Sequence, residues 1–489
     1  MTVTALVLGP ILAGLLLYSI PRRNGRAAAL VAAAVAAFTI VLAVAAWSSE
    51  NEVSVRWLSR PFAASFHLGF GWGLSYALVL LLSACTFGAA LTLRGGRARG
   101  IAAQLLVLQG AMNGLFLAKD LLLFALFWDL MLIPVFLVLI EGGPHARAAW
   151  KYLLYNLAGG LALLLATAAF GIVAGTTDVI GNADAHVVIG STWGIWIFAG
   201  FAVAFLIKTP VFPFHTWMPE TYAALPAPVA AVVSAVQSKA GLFGFLMIAW
   251  SFLQPELHQA QTLLVALGSI GLVYGALAAL AERDAKRIVA YSSLSHLGLI
   301  LVAIASNSHL ALQGAIVYMI AHGLFSAALF IVLGAVEQRE ETRDLTRLGG
   351  LGARNPKLAG ALVLAALAAL GLPGLAGFSG EILILTGLYQ SGFVWPAIVA
   401  LIAIVLASAY MLRLFQGIMN GPEVPDLPER RDMTWIEALA IAPLVAGFVA
   451  FGLNPGPLAQ GTGIPRTPSI HVTVGATIPA ENARVVGSR

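Results

Sequence analysis

The chain has 489 residues, of which 60% are hydrophobic and only 10% charged, with a mean hydropathy of +0.91 and a formal net charge of +5. That composition excludes an ordinary water-soluble domain and marks an integral membrane protein. The single cysteine, Cys85, sits inside an apolar run, which excludes a disulfide framework, a thiolate metal site and an iron–sulfur cluster built on this chain alone.

A spanning helix needs roughly 20 apolar residues, and about fourteen such runs follow one another. In chain order the predicted spans are 3–20, 27–47, 70–93, 101–118, 121–140, 149–173, 193–213, 227–252, 260–281, 288–306, 309–336, 358–387, 394–419 and 434–452. The runs are continuous and show no alternation of the β-barrel kind. The fold class is therefore all-α and polytopic, because closed helices alone satisfy such a backbone in lipid.

The first basic cluster, Arg22, Arg23 and Arg26, follows span 1 instead of preceding it, so span 1 reads as an anchor and not as a cleaved secretory signal. Basic residues gather in the connections after spans 1, 3, 5, 9, 11 and 13, which hold eighteen of the 27 Lys and Arg; six lie on the opposite side, termini included. The positive-inside rule then places the odd connections in the cytoplasm and both termini outside a bacterial plasma membrane. This distribution by topology also displaces the nucleic-acid reading that a positive net charge invites. The tail from Gly452, GLNPGPLAQGTGIP, is expected to lack regular structure, with SIHVTVGATI beyond it as a candidate strand.

A few charges remain inside spans. Asp129 lies in FALFWDLMLIPVFLVLI of span 5, Lys208 in span 7, Lys239 in span 8 and Glu381 in span 12. Arg413, in YMLRLFQ near the end of span 13, can snorkel to the interface. An ionisable group at mid-bilayer costs at least about 2.5 to 3.5 kcal/mol. Two readings stand: a static bridge locking helices together, which is often no more stabilising than apolar packing, or an ion or proton pathway. Polar neighbours favour the pathway. VVSAVQSKAG puts Ser234, Ser238 and Lys239 on neighbouring rows of one face, with Gln237 beside them. YSSLSHLG sets His296 one turn after Ser292, and Tyr318, His322 and Ser326 form a stripe on span 11. Such groups both take and give protons or orient water.

Two spans contain helix breakers. Span 7 ends in LIKTPVFPFHTWMP, with Pro210, Pro213 and Pro219; span 12 contains LGLPGLAGFSGE, with Pro373 and four glycines before Glu381. They fall about 170 residues apart in corresponding positions of two halves, the sequence pointer to a transport site between repeats. AKD precedes span 5 and RDAKR precedes span 10. The predicted organisation is therefore 1–100 for spans 1–3, 101–252 for a first five-helix repeat, 253–420 for a second, and 421–489 for span 14 and the tail. Five being odd, the second repeat is inverted.

LLLFALFWDLMLIP, IKTPVFPFHTWMPE, KRIVAYSSLSHLG and GLPGLAGFSGE resemble the signature stretches of the antiporter-like membrane subunits of respiratory complex I, NADH-quinone oxidoreductase, and of their relatives in cation antiporters and membrane-bound hydrogenases. The resemblance runs from about residue 70 to 420 and leans to the M type: Glu381 stands where the L and N types usually carry lysine, and no long lateral helix follows span 14. It implies a proton pathway in which Asp129 is the span 5 acid that partners Lys208. Lys239 is then the central lysine, His296 and His322 lie on the connecting axis, and Glu381 is the terminal group leading outside. It further implies L-type and N-type chains and small membrane subunits as partners, with NADH, flavin, iron–sulfur clusters and quinone held by partner subunits. The family's span 5 acid is usually glutamate. Asp129 is one methylene shorter, so contact with Lys208 calls for a bridging water or a shifted helix. A subunit of a cation/proton antiporter or membrane-bound hydrogenase complex, a non-pumping scaffold and a solute transporter are the alternatives.

Overall fold

The computed structural model describes residues 2–47, 52–71, 73–141, 146–180, 191–421 and 431–461. Among these residues, twelve helices are long and apolar enough to cross a membrane, and two shorter apolar helices stand at the places of spans 7 and 12. Which helices lie inside follows from what they carry. Ala227–Phe252 and His309–Glu340, bearing Lys239 and His322, each have a membrane-crossing stretch that is wholly buried, whereas the outer helices Val394–Met419 and Trp435–Leu453 bury only 33% and 28% of theirs. Ionisable side chains are kept toward protein, and aliphatic ones are left for lipid.

Both spans rich in Pro and Gly are broken. The first consists of Ser191–Lys208, a turn, and Met218–Ala224; the second of Pro356–Ala369, a turn, and Ala376–Gln390. Two helices with a turn between them therefore occupy the single 358–387 run read from hydropathy. Span 5 is also interrupted, as Leu121–Leu130 and Leu132–Glu141, so Asp129 lies beside a joint that its apolar sequence conceals. The second helix of each proposed repeat begins alike. The Asp120 carboxylate caps its helix by accepting from Leu122 N at 2.8 Å and Leu123 N at 3.2 Å, and Asp284 accepts from Lys286 N at 2.9 Å and Arg287 N at 3.2 Å. Leu121 N then donates to Thr177 O at 2.8 Å, and Ala285 N to Arg343 O at 2.9 Å.

Three features depart from the sequence reading. The connection after span 2 folds as a hairpin of β1, Val53–Leu58, and β2, Ala64–Leu68. Its two short strands sit between much stronger helical signals. The hairpin is tied to the bundle by Lys119 N donating to His67 O and Gly69 N to Leu117 O, both at 2.9 Å. Span 8 is not a regular helix, since Val233–Gln237 and Phe245–Ala249 are π-helical turns. A short helix, Gly456–Gly461, occupies part of the tail predicted to be irregular; the candidate strand SIHVTVGATI lies outside the described residues.

The odd connections meet at one end of the bundle. Arg26 donates to Leu91 O at 2.8 Å, Arg99 to Ile20 O at 2.9 Å, and Lys286 pairs with Glu337 at 2.6 Å. The most enclosed of these contacts joins Arg339 to Glu437, both buried, through two parallel bonds of 2.8 and 3.2 Å. Glu437 also completes a capping box with Thr434, so one carboxylate starts the Trp435–Leu453 helix and docks it on the end of His309–Glu340. Glu437→Ala strands a buried guanidinium and should destabilise the chain by about 3–5 kcal/mol, read as a lowered melting temperature in detergent; an unchanged value would show the pair to be solvated.

Candidate functional site

Lys239 follows directly on the first π-turn, and that turn decides what its ammonium meets. Widening the turn to Val233–Gln237 leaves the Ser234 carbonyl outside the regular ladder. This carbonyl accepts from Lys239 Nζ at 2.8 Å and from Ser238 Oγ at 2.8 Å. Lys239 is fully buried, and its Nζ lies 2.5 Å from His322 Nδ1 and 3.4 Å from Ser238 Oγ. The amine thus has a carbonyl, a hydroxyl and an imidazole around it in place of water.

From Lys239 the polar groups continue across three further helices. The His322 and His296 rings are 5.5 Å apart, edge to face, and His296 lies 5.7 Å from the Tyr318 ring. Tyr318 OH donates to Glu381 Oε1 at 2.7 Å. Phe325 packs against both imidazoles, at 5.4 and 5.2 Å, and fixes their mutual angle. Beside this row, Ser234 Oγ meets Ser326 Oγ at 2.7 Å and Ser293 Oγ at 3.2 Å.

The structure therefore brings Lys239, His322, His296 and Glu381 together. It adds Tyr410, which sequence reasoning missed: its buried hydroxyl bonds His296 Nε2 at 3.1 Å and Ser292 Oγ at 3.0 Å. The available signal was a tyrosine inside a membrane helix, whose hydroxyl must find a partner. Arg413, one turn on, is no part of the row; its guanidinium donates to the Leu280 carbonyl.

Asp129 and Lys208 are arranged differently. Lys208 closes its helix and is 1% exposed, with Nζ 4.9 Å from the centre of the Trp128 ring. No direct ion pair joins it to Asp129: Lys208 Nζ and Asp129 Oδ1 are both buried without a protein hydrogen-bond partner. Between Lys208 and Lys239 the links are indirect. Trp217 Nε1 donates to Ile207 O at 3.0 Å, Trp217 packs on Tyr152 at 5.5 Å, and Gln237 Nε2 donates to Tyr152 OH at 2.8 Å. Thr209 Oγ1 and Gln237 Oε1 are buried here with no protein partner. Buried donors and acceptors of this kind are where ordered water binds.

Both carboxylates rest against glycine. A side chain at Gly160 would run into Asp129 Oδ1, and one at Gly371 into Glu381 Oε2. Gly371 also has φ +76°, a left-handed backbone that side chains resist.

Residues 118–407 match the family described as NADH:quinone oxidoreductase/Mrp antiporter, TM. The chain is 33% identical to NADH-quinone oxidoreductase subunit M of Rhodobacter capsulatus, over 88% of this chain and 88% of that protein. It superposes on a chain of respiratory complex I from Thermus thermophilus with bound NADH at a TM-score of 0.84 and 30% identity, covering 94% of this chain and 97% of the other. A chain of the Mrp complex from Dietzia sp. DQ12-45-1b shares the fold, with a TM-score of 0.82 and 23% identity over 94% and 96% of the two chains.

Gly371→Ala should cost about 1–2 kcal/mol for the left-handed backbone alone and should push Glu381 off Tyr318. The checks are the melting temperature in detergent and the carboxyl band of Glu381 in infrared difference spectra. Gly360→Ala, whose added carbon meets open space inside the Pro356–Ala369 helix, is the control: it should leave the carboxyl band unchanged and the melting temperature unlowered.

Proposed function

Because this chain belongs to the NADH:quinone oxidoreductase/Mrp antiporter family of transmembrane subunits, we propose that it is the M-type, proton-translocating subunit in the membrane arm of a bacterial NADH:quinone oxidoreductase. Protons move along Asp129, Lys208, Lys239, His322, His296 and Glu381. The observation that carries this reading is the run of contacts from Lys239 through His322, His296 and Tyr318 to Glu381, which crosses four helices without an aliphatic gap. L-type and N-type chains and small membrane subunits are its partners, and the energy comes from quinone reduction elsewhere in the assembly. NADH, flavin, iron–sulfur clusters and quinone belong to those partners.

The chemistry follows from how each charge is held. Lys208 has the Trp128 face beside it, and a cation–π contact is worth about 0.5–2 kcal/mol. Desolvating an ammonium costs several kcal/mol, so the ring alone does not hold the charge. Asp129 is the carboxylate whose field reaches Lys208. When it approaches, the ammonium is kept; when it withdraws, the proton leaves toward Gln237 and Lys239. At Lys239 the proton faces His322 Nδ1 directly, and the imidazoles and water carry it on. Glu381 receives it as a neutral acid and returns to carboxylate with the Tyr318 hydroxyl donating to it. The units 101–252 and 253–420 are inverted with respect to each other and open to opposite faces, the odd connections being cytoplasmic and the termini outside.

Lys208→Ala should abolish proton translocation coupled to NADH oxidation while the complex still assembles, measured as protons moved per electron in membrane vesicles. An unchanged ratio removes Lys208 from the pathway. Repeating the assay with and without sodium separates proton pumping from cation exchange, since a sodium-dependent flux would favour the antiporter reading. Tyr410→Phe, which deletes the hydroxyl shared by Ser292 and His296, should slow proton flux by about tenfold with assembly intact, short of the ~10²–10⁴-fold cost of losing a proton-transfer group itself.

A further inference from the structure

The two broken spans correspond residue for residue. In the first, Thr209 N bonds Phe205 O at 2.9 Å and Val211 N bonds Leu206 O at 3.0 Å; in the second, Leu370 N bonds Ala366 O at 2.9 Å and Leu372 N bonds Leu367 O at 3.0 Å. The residue between them has positive φ in each, +20° for Pro210 and +76° for Gly371. Extending that register along the chain sets Glu220, the last residue of KTPVFPFHTWMPE, at the place of Glu381, the last residue of ALGLPGLAGFSGE.

Glu220 is engaged as its counterpart is. It accepts from Lys151 Nζ at 2.8 Å, where Glu381 accepts from Tyr318 at 2.7 Å. The Lys151–Glu220 pair is partly open, with side chains 24% and 36% exposed, whereas Glu381 is enclosed. On the stretch between Glu220 and Lys208 sits His215, 4% exposed, its Nδ1 buried with no protein partner and within the field of Lys151. His215 is stacked on Phe212 at 5.6 Å and so cannot turn freely. A partly exposed ion pair contributes little to stability, so stability gives little reason for this one. A titratable pair at the mouth of a unit whose interior holds a buried imidazole and a buried amine has a chemical use.

We propose that Lys151 and Glu220 form the proton-loading site of the first five-helix unit, at the position that Glu381 holds in the second, where the inverted unit releases its proton to the opposite face. Glu220 takes a proton from water, its hold on Lys151 loosens, and the proton passes by way of His215 toward Lys208. This rests on the translocation reading above.

The test uses the intact complex in membrane vesicles, with assembly, NADH oxidation and proton translocation all measured. Glu220→Gln keeps the shape and the bond to Lys151 but carries no proton; it should slow translocation by about tenfold or more, removal of a proton-transfer group costing ~10²–10⁴-fold, with assembly unchanged. Glu220→Asp should restore most of the flux. Lys208→Ala is run in parallel. Wild-type pumping by Glu220→Gln beside lost pumping in Lys208→Ala overturns the loading site and leaves the translocation reading standing. Wild-type pumping by both overturns the reading itself. Where Glu220→Gln does not assemble, Glu220→His decides: a titratable imidazole that pumps supports the loading site, and an assembled complex that oxidises NADH without pumping overturns it.

Discussion

An ammonium in hydrocarbon costs several kcal/mol unless dipoles or counter-charges surround it, and the placement of the helices answers to that cost. Lys208 and Lys239 are 1% and 0% exposed. The helices that carry Lys239, His296 and His322 lie innermost, while the helices at the periphery present alanine, leucine and valine outward. The same constraint selects what surrounds each charge. Lys239 has a carbonyl freed by an irregular turn, and Lys208 has an indole face.

A pathway also needs its charges to be held loosely enough to change. The two ends of the row solve this in opposite ways. At Glu381 a hydroxyl donates directly to the carboxylate, and the group is enclosed. At Asp129 the carboxylate and its lysine stand apart, each with an unused hydrogen-bonding atom. The fixed end suits a terminal acceptor and the open end suits a gate, which fits a shorter acid at position 129.

Much of this was legible in the sequence because membrane helices declare themselves by length and composition. Asp129, Lys208, Lys239 and Glu381 stood out as ionisable residues in apolar runs, and the breaks in spans 7 and 12 stood out as proline and glycine. What stayed hidden has physical causes. The π-turn before Lys239 arises from packing and leaves no residue signature in VVSAVQSKAG. Tyr410 looked like ordinary apolar content because its partners, His296 and Ser292, come from a helix more than a hundred residues away. Gly371 stood out only as a helix breaker and Gly160 not at all, since their fit to a carboxylate depends on the facing chain.

The irregular turns of the Ala227–Phe252 helix bear on its mechanics. Val233–Gln237 and Phe245–Ala249 each hold one surplus residue, and Lys239–Gly244 lies between them. Absorbing one residue into a regular coil corresponds to a twist of about 100°. A regular coil at the first of these turns would swing the central amine away from Ser234 O and His322 by that amount, so the irregularity of the backbone is what aims the charge along the row.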